Sequence, residues 1–311
     1  MPRVFSSLDL ADPAAQSECL TELTSLGDWV RLVATTMGEH SVFFGHGFES
    51  AWDESVFLCL RALSLEWDAP AVVFSSRLRV AERQKLWSLL QQRCVERVPT
   101  AYLLEESWFL GEPYRVTPDV LIPRSPIAEL IENGFEPWLT RPPQRVLDLC
   151  TGSGCIGIAT ALAFPEAEVH LSDLSDAAVR IAIDNVDTKD LGYQVSVYQG
   201  DLFAGLPEEP YDLILCNPPY VDAEDIETMP PEFEHEPKMA LAAGDDGLDV
   251  VRRLLVEAPR YLSDDGWLVC EVGNSAAALI DAFPDLPFEW PEFATGGHGV
   301  FILPAQALRS K

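Results

Sequence analysis

Positive charge is scarce in this sequence. Twenty-one Lys and Arg face 50 Asp and Glu, giving a net charge of −29 over 311 residues, and the cations form no cluster. A duplex-binding protein neutralises phosphates with clustered Lys and Arg, so direct binding of duplex DNA is disfavoured. The imbalance is steepest at residues 201–250, where fourteen Asp or Glu stand against Lys238 alone. That stretch reads either as a solubility feature or as a face that attracts a basic protein. Long apolar runs are missing too. No uncharged stretch approaches the roughly 18 residues needed to span a bilayer, and Met1 to Leu10 lacks the apolar core of a signal segment. A cytoplasmic protein that does not enter membranes is therefore expected. Paired cysteine spacing is also absent: Cys19, Cys59, Cys94, Cys150, Cys155, Cys216 and Cys270 are odd in number and scattered. They read as reduced, mostly buried thiols. The five histidines, His40, His46, His170, His235 and His298, show no metal-ligand spacing, so no metal is expected.

What is present points to two domains. The chain is 48% hydrophobic and too long for one typical core. Residues 1–105 read as a helical domain for packing or substrate docking. Asp28 is placed to cap a segment running through Met37, and Leu86, Leu90 and Cys94 recur at four-residue spacing on one face. Residues 106–125 change to short β-type runs, Trp108-Phe-Leu and Val120-Leu-Ile, punctuated by Gly111, Glu112, Pro113 and Pro118-Asp119, which predicts a β-hairpin linker. From 126 to 311 strands and helices alternate. The predicted strands are Arg145-Val-Leu-Asp, Glu168-Val-His-Leu, Val195-Ser-Val-Tyr, Tyr211-Asp-Leu-Ile-Leu-Cys, Gly266-Trp-Leu-Val-Cys-Glu-Val and Val300-Phe-Ile-Leu. Such alternation predicts a doubly wound α/β sheet. Gly296-Gly297-His298-Gly299 reads as a turn into the last strand.

The first of these strands runs into Leu149-Cys150-Thr151-Gly152-Ser153-Gly154-Cys155-Ile156-Gly157 and then an Ala-rich helix. Gly152 and Gly154 let the backbone turn tightly and approach a ligand at the helix N-terminus. Asp173, nineteen residues past Gly154 at the end of the second strand, suits a ribose diol. The glycine spacing with Asp173 would also serve a nicotinamide cofactor. Company decides against it: Asp148 precedes the loop and Asp201 follows the third strand, and three carboxylates at successive strand ends suit S-adenosylmethionine. Asp148 would orient the loop near the amino-acid end, and Gly200-Asp201-Leu202-Phe203 would reach the adenine. Asp201 could equally cap a helix.

The fourth strand ends in Asn217-Pro218-Pro219-Tyr220. An amide or aromatic amine nitrogen is a poor nucleophile because its lone pair is delocalised. A site that methylates it must hold the N–H groups with oxygen acceptors. The Asn217 side-chain oxygen and the Pro218 carbonyl can each accept one, Pro219 stiffens the turn, and Tyr220 offers a flat face. Asn217, Pro218 and Tyr220 are thus the candidate catalytic residues. Positioning for in-line transfer at roughly 3 Å is then the main device, with no strong base required.

With both motifs in place, the chain resembles the N(5)-glutamine methyltransferases, the family that methylates release factors and ribosomal proteins. The resemblance extends over Val98-Pro99-Thr100-Ala101-Tyr102-Leu103, Val120-Leu-Ile-Pro-Arg124, residues 148–154, Asn217-Pro218-Pro219-Tyr220 with Val221-Asp222, Glu236-Pro237 with Ala240-Leu241, Gly244-Asp-Asp-Gly247-Leu248 and Glu271-Val272-Gly273. Release-factor enzymes typically carry Ile-Pro-Arg-Pro with Glu-Thr. Here Arg124 precedes Ser125-Pro126-Ile127, which, with His46-Gly47 and Trp52-Asp53-Glu54, is similar to enzymes acting on large-subunit ribosomal protein three (uL3). The resemblance implies a helical substrate-docking domain, a hairpin linker and a class I methyltransferase domain with a Rossmann-like seven-stranded sheet. It implies S-adenosyl-L-methionine as cofactor, held by Thr151, Gly152, Ser153, Gly154 and Asp173; Asp148, Cys150, Asp201, Leu202 and Asn217 complete the expected cofactor-binding set. It also implies a glutamine of uL3 as acceptor, in the free protein or an assembling ribosomal particle, held by residues 217–220. Arg124 either binds substrate or cofactor carboxylate or pairs with a neighbouring Asp. Cys150 departs from the family pattern, which places a glycine there. The competing functions are methylation of the release-factor glutamine, adenine amino-methylation of DNA, hydride transfer, and a non-catalytic role in ribosome assembly.

Overall fold

The computed structural model describes residues 7–294 and 296–309. Residues 1–6 of the stretch read above as lacking a signal segment lie outside it. The chain divides into two compact units, Met1–Glu106 with Pro230–His235, and Ser107–Met229 with Glu236–Lys311. Among the described residues no helix is long and apolar enough to cross a membrane.

The smaller unit is helical, built on Pro13–Glu22, Leu26–Glu39, Ala51–Ala62, Val80–Cys94 and Thr100–Leu104. The helix at Leu26 is capped by Ser25, not Asp28. The Ser25 hydroxyl accepts the Asp28 amide at 3.2 Å while the Asp28 carboxylate accepts the Ser25 amide at 2.9 Å, so Asp28 is the third-residue half of a capping box. Leu86, Leu90 and Cys94 bury one face of their helix against Trp29, Val33, Met37 and Leu58. Inside this apolar unit lies an ionic cluster. Arg93 donates to Glu54 at 2.5 Å and to Glu232 at 3.3 Å, and Thr100 donates to Glu54 at 2.6 Å. Glu232 also accepts the Phe43 amide at 3.0 Å. Buried charge is tolerated only with such pairing. His46 and Phe233 rings meet at 4.6 Å beside it.

The larger unit begins with a two-stranded hairpin, β1 (Glu106–Phe109) and β2 (Glu112–Arg115). Val120-Leu-Ile does not form a strand. Pro118 and Pro123 flank it, and the Ile122 amide donates to the buried Glu236 carboxylate at 3.1 Å instead of to a neighbouring strand. The central sheet comprises β3 (Arg145–Leu149), β4 (Glu168–Asp173), β5 (Val195–Gln199), β6 (Tyr211–Cys216), β7 (Leu262–Glu271) and β8 (Val300–Pro304), in order β5-β4-β3-β6-β7-β8. All pairs are parallel except the antiparallel β7 and β8. Both faces are covered, which is why the strands are continuously apolar: Val146, Leu213 and Leu215 enter one core while Leu147, Ile214 and Cys216 enter the other. The position of a seventh strand holds a single bridge, Glu289 to Ile302. Pro287 and Pro291 lack the amides that would extend it.

The chain order reverses between β3 and β6, and ligands of open α/β sheets bind at the carboxyl ends of strands at such a point. Register aligns Leu149 of β3 with Cys216 of β6. The next residues, Cys150 and Asn217, therefore leave the sheet side by side.

Candidate active site

A cavity of about 350 Å³ opens at this switch point, within the range of small-molecule sites. Its lining includes Cys150, Thr151, Gly152 and Ser153 after β3, Asp173 after β4, Asp201 and Leu202 after β5, and Asn217 and Pro219 after β6, together with Arg124 and Ser125. Residues from five separate stretches of sequence are thus brought to one cavity. Asp148, Gly154, Pro218 and Tyr220 do not line it.

The loop after β3 is set by its own hydrogen bonds. Asp173 accepts the Gly152 amide and the Ser175 amide, both at 2.9 Å. Each carboxylate oxygen keeps a second lone pair for a ligand hydroxyl. Burial raises its pKa against these backbone bonds. Gly152 and Gly154 have φ of 56° and 84°, in the left-handed region open to glycine. Cys150 occupies the same region at 57°, a strained placement for a side-chain residue, which explains why glycine suits this position. The neighbouring Cys216 thiol together with burial pushes the Cys150 thiol well up. Such a thiol is a poor nucleophile.

Asp148 sits beneath the loop, wholly buried. Its Oδ2 accepts the Thr151 hydroxyl at 2.5 Å and the Gly157 amide at 2.9 Å, which ties the loop to the first turn of the helix Cys155–Ala163. Among the described residues Oδ1 has no partner. Burial pushes this carboxyl up to about 7, with the Thr151 and Gly157 bonds opposing. Asp148 acts on the loop rather than reaching the cavity. Gly157 permits the close packing, since a Cβ there would stand 2.1 Å from Leu171 and 2.9 Å from Asp148. Asp201 starts a turn, not a helix, so it caps none; it pairs with Arg253 at 3.0 Å at the cavity edge.

The acceptor turn is braced from behind. Tyr220 directs its hydroxyl to Glu271 at 2.8 Å, its carbonyl accepts Ser275 at 2.9 Å, and the next amide, Val221, donates to Leu241 at 2.8 Å. The half-buried Tyr220 ring therefore lies against Gly273 rather than among the residues that line the cavity. Arg124 pairs with Glu236, not with a neighbouring Asp, through two bonds of 2.6 Å.

Sequence reasoning missed several structural partners. Asn185, on the helix Asp176–Thr188, donates to the Ser153 carbonyl at 2.8 Å and to the Arg115 carbonyl at 3.0 Å, and accepts the Arg115 amide at 2.7 Å. It joins the cofactor loop to β2. Glu236 and Glu271 stood in motifs that carry the resemblance but were given no role; an acid beside apolar or proline residues is a signal for a buried, partnered carboxylate.

The donor set fits S-adenosylmethionine. Asp173 can accept ribose hydroxyls, Asp201 stands at the cavity edge paired with Arg253, and the positive-φ glycine at 152 lets the backbone approach. A family model, the methyltransferase small domain, matches residues 135–244. The ribosomal protein uL3 glutamine methyltransferase of Francisella tularensis is 44% identical over 93% of this chain and 92% of its own length. The Bordetella pertussis protein of the same name is 42% identical over 93% of this chain and 98% of its own. The solved hMettl16 catalytic domain is similar over 72% of this chain and 80% of its own, at TM-score 0.48 and 18% identity.

Proposed function

This chain belongs to the family of the ribosomal protein uL3 glutamine methyltransferases, and on that premise we propose that it methylates a glutamine side-chain nitrogen of uL3. It is an S-adenosylmethionine-dependent methyltransferase with a Rossmann-like α/β sheet. The observation that carries the substrate chemistry is that Asn217 and Pro219 line the same cavity as the glycine loop and Asp173.

When bound, S-adenosylmethionine supplies an electrophilic methyl group on a sulfonium. The loop residues 150–153 and Asp173 would hold it, and Asp201 and Leu202 would meet its base. The Asn217 oxygen and the Pro218 carbonyl accept the two amide hydrogens of the substrate glutamine. This holds the nitrogen in one orientation and leaves electron density on it. The methyl group that the cofactor would supply would pass to the nitrogen held by Asn217 and Pro218, and the surplus proton would leave to water. No side chain of high basicity is required.

The uL3 substrate is engaged as a basic protein in the cytoplasm, as the free chain or within an assembling particle. Exposed Glu224, Glu227, Asp245 and Asp249 lie in the acidic stretch that would attract it. An apparent affinity for uL3 that weakens as salt rises is expected; one indifferent to salt would remove the electrostatic part of this reading. The test of the whole is to offer labelled S-adenosylmethionine with uL3, a release factor and duplex DNA in separate reactions. Label on a uL3 glutamine is the expected result. Label on the release factor alone would keep the chemistry and change the partner.

A further inference from the structure

We infer that Glu271 is a positioning residue that locks the acceptor turn to the segment carrying Ser125. The inference rests on the reading of residues 217–220 as that turn. Glu271 ends β7 directly after the buried Leu268, Val269 and Cys270, and is itself 3% exposed. A carboxylate in such a place needs partners. Its Oε1 accepts the Tyr220 hydroxyl at 2.8 Å and its Oε2 accepts the Ser125 hydroxyl at 2.6 Å. Tyr220 closes the acceptor turn, and Ser125 belongs to the wall that also carries Arg124. One side chain therefore ties the acceptor turn to a residue that lines the cavity, Ser125. Burial raises its pKa, while both hydroxyls and the Arg124 charge favour the carboxylate.

The glycines behind this residue fit the same role. A Cβ at Gly273 would stand 2.6 Å from the Tyr220 ring, and one at Gly299 would stand 2.3 Å from the Gly273 carbonyl oxygen. A Cβ at Gly297 would stand 2.4 Å from Pro126, and the Gly299 carbonyl accepts the Val272 amide at 2.6 Å. The Gly-Gly-His-Gly segment is thus a backing plate for the acceptor turn and for the segment holding Ser125. His298 extends it: its Nε2 meets Asn274 Oδ1 at 3.0 Å, and Asn274 donates to Asp225 at 2.9 Å. Ser125 also accepts the Ile127 amide at 3.2 Å, which orients its hydroxyl. A proline at 125 could make neither bond, so the Ser125 departure from the release-factor pattern acquires a structural purpose.

Loss of the clamp lets the acceptor turn and the Ser125 segment drift, and a misplacement of about 1 Å can cost about 100-fold in rate. Glu271→Gln conserves volume but removes the charge and offers one oxygen in place of two. The expected result is a kcat for uL3 methylation reduced about 10-fold or more, with the Kd for S-adenosylmethionine changed less than about threefold. Tyr220→Phe added to Glu271→Gln should cost little beyond Glu271→Gln alone, because both remove the same link. Additive losses, or an unchanged kcat, would overturn the inference. A crystal structure of Glu271→Gln decides independently of the substrate. The inference requires Tyr220 and Ser125 to move apart relative to the parent, and an unmoved pair would contradict it even if the parent proved to act on another acceptor.

Discussion

Glu236 grips the Arg124 guanidinium at both ends, Nη1 to Oε1 and Nη2 to Oε2, each at 2.6 Å, with its carboxylate fully buried. The same Oε1 accepts the Ile122 amide at 3.1 Å. This carboxylate thus braces a segment that lies outside the sheet. Glu236→Gln should lower the unfolding free energy by roughly 2 kcal/mol, the scale of hydrogen bonds to a charged group, and should reduce methylation by loosening this wall. Urea unfolding measures the first effect; an unchanged midpoint would show that the pair contributes nothing net.

Asp148 predicts a pH dependence. Its folded pKa of about 7 lies well above the ordinary carboxyl value. Between about pH 4 and 7 the folded state holds a proton that the unfolded state releases, so stability falls as pH rises through that window and is fully present below it. Asp148→Asn cannot ionise. The stability of the parent relative to this variant should therefore decline from pH 4 to pH 7 and level off above. A difference that stays flat over that range would contradict the assignment.

The buried cluster of the helical unit should be far more sensitive than surface pairs. Glu54→Ala leaves Arg93 buried with one carboxylate fewer, at an expected cost of about 3–5 kcal/mol. Arg180→Ala, which removes an exposed pair with Asp176, should cost less than about 1 kcal/mol. Similar losses for the two variants, read by thermal or urea unfolding, would mean that burial does not amplify the central pair.

Donor and acceptor sites should separate kinetically. Asp173→Asn removes the charge expected at the ribose and should raise the Kd for S-adenosylmethionine about 10–100-fold. Asn217→Ala should leave that Kd within about threefold while lowering kcat by on the order of 100–1,000-fold, as loss of one preorganised polar contact does. Calorimetry and single-turnover kinetics distinguish the two. A shared phenotype would mean that the assigned roles are wrong.

The parts most legible in the sequence were those governed by local rules. Strand alternation and glycine spacing identified β3 to β8 and the loop from Cys150 to Gly154, because apolar periodicity and backbone freedom are properties of neighbouring residues. The cap at Ser25 was missed because Ser25 and Asp28 both suit a helix start, and only reciprocal geometry tells which residue is first. The missing strand at Val120 depended on Glu236, 114 residues away from Ile122 in the chain. The orientation of Tyr220 depended likewise on Glu271, 51 residues on. Partnerships over such distances leave no periodicity to read. For the same reason Asp148 could be recognised as important while its buried place beneath the loop could not.

The most direct measurement incubates the purified protein with methyl-labelled S-adenosylmethionine and uL3 and maps the label by tandem mass spectrometry, with Asn217→Ala in parallel. The account predicts one methyl group on the side-chain nitrogen of a uL3 glutamine, and almost none with the variant. Label on another residue type, or equal labelling by parent and variant, would contradict it.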